Sequence, residues 1–352
     1  MFYLGVDYSK RFSVLTLVDG QGKVISKYRL ANKREDFRNF IGKRRKIKAV
    51  VEAGRNWHVA VELLEGLVDE IKLAHPLKVR AIAEAKIKTD EIDSEILAQL
   101  LRADLIPEAY LRSSELREKQ SILRLRSFWI RQRTATRNRI HALIDGQREE
   151  IREDARCFSD LFGKKGRKWL EELQLKPVSS NAINGLLEID DALSTKIKES
   201  NQDVKQLYES DEDCQRIDSI PGFGPFLSTL AKVEIGEIWR FKSASHLASY
   251  AGVIPSTYSS GGKTRHGRIT KQGNKFLRWC LIEAAIHCGQ ECQQLKKFYL
   301  RMKRKKGTKS AKVAVARKLC KILFRVLSKK DKYRISYTVT RSRLHLVTSV
   351  PT

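Results

Sequence analysis

The chain of 352 residues is long enough for two or three domains with buried cores. Its 69 Lys and Arg outnumber its 41 Asp and Glu, giving a formal net charge of +28, while 41% hydrophobic residues exclude a wholly disordered basic chain. The absence of a long apolar run and the early acidic residue Asp7 argue against a membrane-spanning helix and a secretory signal, so we expect a cytoplasmic protein with six reduced cysteines.

Residues 1–110 have the pattern of a mixed α/β domain. Stretches rich in β-branched and aromatic residues, bounded by turn sequences such as DGQG, predict strands at 2–8, 12–18, 23–30, 47–51, 71–74 and 79–82. Apolar residues at three- and four-residue spacing predict helices at 35–42 and 57–67, and a third helix after Thr89, which is suited to an N-cap.

A helical region is predicted to follow. A long and charged helix is expected over 113–150, without glycine except at the interruption formed by Asp145 and Gly146, and a second helical segment is expected over 166–209. Two long helices with little else between them predict an antiparallel hairpin or coiled-coil spacer at 111–210.

The C-terminal part, 211–352, is predicted to be mostly helical, with an interruption rich in Gly, Ser and Lys at 255–274. It also holds most of the positive charge, because the net charge is +6 over 1–250 and +22 over 251–352. A second basic stretch, 117–139, contains eight Lys and Arg and one Glu. Concentrated charge indicates a nucleic-acid partner, since each neutralised phosphate releases condensed counterions. A membrane surface is the weaker interpretation, because neither block has the free apolar face of an interfacial helix.

Four carboxylates form the first candidate catalytic group. Asp7 lies inside an apolar strand, where an isolated charge is costly, and Glu52 ends a later strand. Asp90 and Asp93, three residues apart at the start of a helix, project from one face of it. Carboxylates gathered at one end of a sheet need divalent cations, and two Mg²⁺ ions there would assist phosphoryl displacement. The alternative is that these residues are ordinary helix caps and strand-edge residues.

Two glycines in the sequence IPGFG, Gly222 and Gly224, form the second candidate. A tight turn between helices presents backbone amides that can bind phosphate oxygens, as in a helix-hairpin-helix motif. A plain turn between two helices is equally compatible with this sequence, and both interpretations stay open.

The third candidate is a serine beside two glycines in the sequence TYSSGGKT, followed by a dense run of cations. The segment is not a P-loop, because Thr257 stands where that motif has its first glycine and no predicted strand leads into it. Such a serine can be an activated nucleophile for a phosphodiester, or the segment can be a simple phosphate-binding loop. We expect nucleic-acid contacts from this run and from the first basic block, at Arg124, Arg126, Arg131, Arg133, Lys263, Arg265, Arg268, Lys271, Lys275 and Arg278.

Five motifs together resemble those of the DEDD insertion-sequence transposases, in the order GVDYS, VVEAG, KTDEIDSEILA, IPGFG and SHLASYAGVIPSTYSSGGKTRHGRITKQGNKFLRWCLIEAA. This family is related to the Piv-type DNA invertases and includes bridge-RNA-guided recombinases. The resemblance implies an RNase H/RuvC-like domain, a coiled-coil spacer and a transposase domain whose nucleophile is Ser260. It also implies that Mg²⁺ or Mn²⁺ is held by Asp7, Glu52, Asp90 and Asp93.

For function, the resemblance implies a prokaryotic DNA recombinase that is nucleoid-associated when bound to DNA. It implies donor and target DNA chosen by a structured noncoding guide RNA, and a dimer or tetramer in which different protomers complete one site. The residues alone leave two other classes open. One is a RuvC-like junction nuclease that uses metal-activated water and never Ser260, and the other is a noncatalytic nucleic-acid-binding scaffold. A serine-linked DNA adduct distinguishes the recombinase from the nuclease, and Ser259 is the alternative point of attachment.

Overall fold

The structure is a computed structural model that describes residues 1–83, 89–260 and 262–334. The chain divides into two units, Met1–Ser113 and Ser114–Thr352. Within the described ranges, no helix is both long enough and apolar enough to cross a membrane. The expected division into three functional parts stays a prediction.

Five strands form the sheet of the first unit: β1 Phe2–Tyr8, β2 Phe12–Val18, β3 Val24–Ala31, β4 Ile47–Glu52 and β5 Glu70–Ala74. Their order across the sheet is β3-β2-β1-β4-β5. β1 pairs antiparallel with β2 and parallel with β4, so the first strand of the chain lies at the centre of a mixed sheet.

Helices lie against both faces of this sheet: α1 Arg34–Ile41, α2 Trp57–Leu64, α3 Pro76–Ile82 and α4 Asp90–Arg102. Alternation along β1 sends Leu4 and Val6 into an apolar cluster with residues of α1 and α2, while Gly5 faces α4. The strand predicted at 79–82 is wrong, because this segment belongs to α3. Pro76 at the first helical position supplies a backbone φ that suits a helix start.

The second unit begins with helices α5 Ser114–Asp145, α6 Glu149–Arg156, α7 Lys164–Glu172 and α8 Pro177–Glu209. Arg126 donates to Asn201 at 2.7 Å. Arg137, eleven residues later, donates to Asp190, eleven residues earlier, at 2.8 Å. The two long helices α5 and α8 therefore run antiparallel, whereas the helical segment expected over 166–209 is divided into α7 and α8, with Pro177 at the start of α8.

The rest of the second unit is mostly helical and has a large apolar core. Its helices are α9 Glu212–Asp218, α10 Pro225–Ile235, a short 3₁₀ turn Ile238–Arg240, α11 Ala244–Tyr250, α12 Lys275–Glu291 and α13 Gln293–Lys329. The interruption predicted at 255–274 contains a β-hairpin formed by β6 Pro255–Ser260 and β7 Lys263–Ile269. All six cysteines are unpaired and five are buried, and burial raises the pKa of the Cys320 thiol to about 12.

Asp213 on α9 connects three elements of this unit. Its buried carboxylate accepts hydrogen bonds from Lys232 of α10 at 3.0 Å, from Lys330 at the end of α13 at 2.7 Å, and from Arg216 at 2.9 Å. Burial by itself would raise the pKa of Asp213, but the hydrogen bonds and charges of these three cations lower it to about 2.

We expect Asp213→Asn to lower the free energy of unfolding by about 2 kcal/mol near neutral pH. A carboxyl group whose pKa is lower in the folded state than in the unfolded chain stabilises the folded state at pH values above its ordinary pKa. That contribution is lost as the pH falls from about 4 towards the folded-state pKa of about 2. Denaturant unfolding of both proteins across this pH range measures the difference. A difference that did not shrink in acid would contradict the ion-pair explanation.

Candidate active site

Asp7 and Glu52 occupy adjacent positions at one end of the sheet. β1 and β4 are parallel and pair Val6 with Val51, so the next residue of each strand is one of these two carboxylates. Alternation puts both carboxylates on the sheet face opposite to the apolar cluster that contains Val6 and Val51. Val50 shares their face and packs against residues of α4. Asp7 and Glu52 therefore lie on the face that α4 covers.

The first turn of α4 lies at the same end of the sheet. A Cβ at Gly5 would overlap the backbone of α4 at Ser94, so the glycine allows the helix to lie directly on β1. Ser94 Oγ is also 2.7 Å from Thr16 Oγ1 on β2. Further along α4, Gln99 donates at 2.7 Å to the carbonyl of Gly22, in the turn beside the start of β1. The helix therefore runs antiparallel to β1 and begins where β1 ends.

That first turn carries Asp90 and Asp93. Thr89 is the N-cap, as predicted, and its side chain accepts a hydrogen bond from the Ile92 amide at 3.2 Å. A fixed helix start holds the two acidic positions at the sheet end reached by β1 and β4. Three elements, β1, β4 and α4, thus direct the four predicted carboxylate positions to one edge of the first unit.

Carboxylate oxygens are the ligands that Mg²⁺ and Mn²⁺ prefer, so the donor set at this edge fits a hard divalent cation. In the described ranges of the chain, however, no three His, Cys, Asp or Glu side chains are gathered closely enough to hold a metal ion. All four positions carry carboxylates and lie at the same edge of the sheet. Their side chains would have to move closer together to bind a cation.

A pocket of about 340 Å³ with a positively charged lining borders the same edge, and it is lined by Tyr8, Lys10, Arg55 and Asn56. Sequence reasoning missed Lys10 and Arg55. The available signal was their spacing, since each lies three residues after a predicted carboxylate. Cations beside a group of acids favour the approach of a phosphate that the acids alone would repel.

Ser260 lies at the tip of the hairpin β6–β7 and is exposed. The register pairs Ser260 with Lys263 and Tyr258 with Arg265, and residues two apart on a strand share a face. Ser260, Tyr258 and Arg265 therefore lie on one face of the hairpin, whereas Ser259 lies on the other. Ser260 therefore has a cation, Arg265, and an aromatic ring, Tyr258, on its own face of the hairpin.

The base of the hairpin is held tightly. The Asn274 amide donates to the Tyr250 carbonyl at 2.7 Å, which joins the chain before the hairpin to the chain after it. Gly252 and Gly273 have φ of +67° and +105°, and a Cβ at either would overlap a backbone carbonyl oxygen from the other side of the base. Arg278 donates to two carbonyl oxygens, one on each side, at 3.3 and 3.0 Å. The hairpin therefore has an exposed tip and a base whose position is fixed by these contacts.

Glu234 of α10 is the centre of a buried polar network beside this base. Its side chain is 0% exposed. The carboxylate accepts hydrogen bonds from Gln120 at 2.7 Å, from Arg124 at 2.8 and 3.0 Å, and from the side chain of Asn274 at 2.6 Å. The Asn274 side chain also caps α12 by accepting from two of its amides. Glu234, which sequence reasoning missed, therefore links α5 and α12 to the hairpin base.

Arg124 was predicted to bind nucleic acid, but its guanidinium is paired with Glu234 and lies 4.5 Å from the centre of the Phe276 ring. We expect Arg124→Ala to lower the free energy of unfolding by about 3 kcal/mol, because it leaves a buried carboxylate without its cation. Arg131→Ala, at an exposed position of the same helix, is the matched control and should change stability by less than about 0.5 kcal/mol. Urea unfolding measures both variants. Equally small losses of stability in the two variants would show that Glu234 does not need Arg124, and would restore the prediction that Arg124 binds nucleic acid.

Gly222 was predicted to offer its amide to a phosphate, but it is buried in the structure. Its amide donates to Glu291 Oε2 at 3.1 Å, its φ is +87°, and a Cβ there would overlap the Ala284 carbonyl of α12. The glycine is needed for close packing, so the plain-turn interpretation fits Gly222. Gly224, the half-buried N-cap of α10, has open space around it.

The other predicted nucleic-acid residues differ in how available they are. Arg126 lies 3.9 Å from the centre of the Phe226 ring, and burial lowers the pKa of its guanidinium. Arg133 is half-buried, and the side chain of Lys263 lies outside the described part of the structure. The exposed predicted cations are Arg131, Arg265, Arg268, Lys271 and Lys275.

Two family models match the chain. One, described as "Transposase IS116/IS110/IS902 family", matches residues 214–300, which include the serine hairpin and Glu234. The other, DEDD_Tnp_IS110, described as "Transposase", matches residues 4–148, which include the carboxylate edge. Both candidate sites therefore fall inside regions with relatives.

The chain is also similar to known proteins over most of its length. It is 25% identical to a transposase for insertion sequence element IS1111A from Coxiella burnetii, over 94% of this chain and 91% of that protein. It is 25% identical to a probable family 20 transposase from Pseudomonas aeruginosa, over 94% and 98% of the two chains. A pilin gene-inverting protein from Moraxella bovis is 26% identical over 79% of each chain.

Proposed function

The chain belongs to the IS110/IS116 family of insertion-sequence transposases, and we propose that it cuts and rejoins DNA with Ser260 as the nucleophile. The observation that carries this proposal is the exposed position of Ser260 at the tip of a hairpin whose base is fixed. A nucleophile that must reach a DNA strand needs both exposure and a defined position.

In the proposed step, Ser260 Oγ attacks a phosphorus of one strand, so that a new Oγ–P ester forms while a P–O bond of the strand breaks. The proton of the serine hydroxyl ends on the released sugar oxygen. Rejoining reverses the exchange, because a sugar hydroxyl of the new partner strand attacks the phosphorus and Ser260 leaves with a proton. Arg265, on the same face as Ser260, is suited to stabilise the charge on the phosphate oxygens.

We propose that the divalent cation of this family is Mg²⁺ in this chain, held by Asp7, Glu52, Asp90 and Asp93. Their shared edge and their oxygen chemistry support the assignment. When bound, the cation supplies charge stabilisation to the phosphoryl transition state. The order of the five strands, with two antiparallel pairings (β3–β2 and β2–β1) and two parallel pairings (β1–β4 and β4–β5), supports an RNase H/RuvC-like assignment for this domain.

Further proposals concern the assembly. The charge of +22 over 251–352 supports binding of donor and target DNA together with a noncoding guide RNA. We propose a dimer or tetramer in which the serine of one protomer and the carboxylates of another complete each site, with 111–210 as the spacer between these domains. The name of the Moraxella bovis relative, a pilin gene-inverting protein, supports DNA rearrangement as the outcome.

A metal-dependent nuclease is the second candidate function, because the carboxylate edge by itself suits hydrolysis by water and does not need Ser260. The test is to mix the purified protein with Mg²⁺ and DNA carrying both ends of its element, with and without RNA transcribed from the noncoding end. We expect joined products that contain new DNA junctions and depend on the RNA. Cut ends that are never joined would favour the nuclease, and binding without cutting would favour a noncatalytic scaffold.

A further inference from the structure

The last helix of the described chain consists of two arms rich in Lys and Arg. α13 is broken at Gly307, whose φ of +78° and ψ of +168° are not helical, so 293–306 and 308–329 are separate arms. The helix contains fourteen Lys and Arg residues and no Asp or Glu. Phe298 of the first arm lies 4.9 Å from the Lys318 ammonium of the second, measured from the ring centre. The two arms are therefore packed against each other.

A groove of about 540 Å³ runs along these arms. Four of its seven lining residues are cations and none is an acid: they are Lys297, Arg301, Arg304 and Lys318, beside Gln294, Phe298 and Leu300. The spacing of the first three cations, four and then three residues, places them in one row on one helix face. That row is about 10 Å long, which is the axial length of about three nucleotides of one strand.

The ion pairs of the described residues do not involve these four cations. Among the residues that the structure describes, none of them pairs with a carboxylate, whereas Arg124 and Arg137 of α5 each do. Arg301 and Lys318 instead contact the Phe298 ring, at 5.5 and 4.9 Å from its centre. The aromatic ring holds two cationic side chains beside the groove, and within 1–83, 89–260 and 262–334 their charge has no anionic partner.

We propose that this groove binds the sugar–phosphate backbone of a nucleic-acid strand, a site distinct from the serine hairpin and from the carboxylate edge. This inference rests on the proposed function for the presence of nucleic acid, but it does not depend on Ser260 or on a metal ion. The row of cations matches a line of phosphates, and the short apolar part of the lining, Phe298 and Leu300, is too small for a membrane-inserting face. DNA and RNA share the backbone chemistry that the groove recognises.

The test compares two variants of the full-length protein with the same charge change on the same helix. The groove variant is Lys297→Gln, Arg301→Gln, Arg304→Gln and Lys318→Gln. The control variant replaces four cations that do not line the groove: Lys303→Gln, Lys305→Gln, Lys306→Gln and Lys309→Gln. Fluorescence anisotropy measures binding to a DNA duplex, to a structured RNA and to vesicles of anionic lipid, at several salt concentrations.

We expect the groove variant to bind at least about tenfold more weakly than the control and to lose about three from the logarithmic salt slope, because each phosphate contact contributes close to one. A loss confined to the DNA or to the RNA supports the proposal and identifies the strand bound. Equal losses for both variants would overturn it, since the basic arms would then act as a uniformly charged surface. A loss confined to lipid vesicles would also overturn it.

Two further measurements keep the result unambiguous. The single variants Arg301→Gln and Arg304→Gln should each weaken binding by about threefold to tenfold, which tests the groove even if the fourfold variant does not fold. At saturating DNA, the groove variant should still form the serine-linked adduct. Loss of groove binding with an intact adduct therefore separates this site from the proposed chemistry.

Discussion

The Ser260→Ala variant should form no covalent protein–DNA adduct and no recombinant product, a loss of at least about 10³-fold. Without the hydroxyl, no ester to phosphorus can form and the bond needed for rejoining is not conserved. Because Ser260 is exposed at a hairpin tip, its replacement removes little packing. Thermal unfolding and nucleic-acid binding should therefore match the wild type. The measurement is recovery of adduct on a nicked suicide DNA substrate after denaturation.

Ser259→Ala is the matched control, since it removes the same group from the adjacent residue on the opposite face of the hairpin. We expect it to retain adduct formation within a fewfold of the wild type. If Ser259→Ala were inactive and Ser260→Ala active, the nucleophile would be assigned one residue too late. If both variants cut DNA normally, neither serine would be the nucleophile.

The second large effect is expected at the carboxylate edge. Asp7→Asn or Glu52→Gln should reduce strand cleavage by at least about 10²-fold, because each removes a charge from the proposed cation site while keeping the shape of the side chain. Nucleic-acid affinity should change little, since it depends mainly on Lys and Arg. Gel assays of cleavage and anisotropy of binding, performed on the same preparations, measure the two effects separately.

Glu95→Gln provides the matched control for that experiment. Glu95 lies on α4 near Asp93 but is paired with Lys27 at 2.6 Å, so its neutralisation should leave cleavage within a fewfold of the wild type. Full cleavage by Asp7→Asn in Mg²⁺ would remove the carboxylate edge from the mechanism. Equal losses in Asp7→Asn and Glu95→Gln would show a general effect of lost negative charge.

Much of the first unit could be predicted from the sequence because its strands have a buried face. β1 and β4 are apolar, and Asp7 is conspicuous in β1 for that reason. The N-cap at Thr89 could also be predicted from the sequence, because its side-chain hydroxyl accepts a hydrogen bond from a backbone amide only three residues later. The strand predicted at 79–82 is wrong because the pattern of a short apolar run is compatible with a strand or with a helix. Here the run belongs to a helix that begins at Pro76.

The serine hairpin was not predicted because strand patterns depend on alternation between a buried and an exposed face. β6 has polar residues on both faces and is exposed over its second half, so no such alternation exists. The partner of Arg124 was equally inaccessible to sequence reasoning, since Glu234 is 110 residues away in the chain. Tertiary packing determines which Lys and Arg side chains bind phosphate and which pair with a buried carboxylate. Composition alone cannot distinguish these two groups.

We claim above all that this protein joins itself to DNA through Ser260, and the most direct measurement of this is the mass of the peptide that carries DNA. Wild-type protein is incubated with Mg²⁺ and a suicide substrate, denatured and digested with protease and nuclease, and the modified peptide is sequenced by mass spectrometry. We predict one nucleotide-bearing peptide, with the phosphate on Ser260. Cleaved DNA with free ends and no modified peptide would contradict the claim and identify water as the nucleophile.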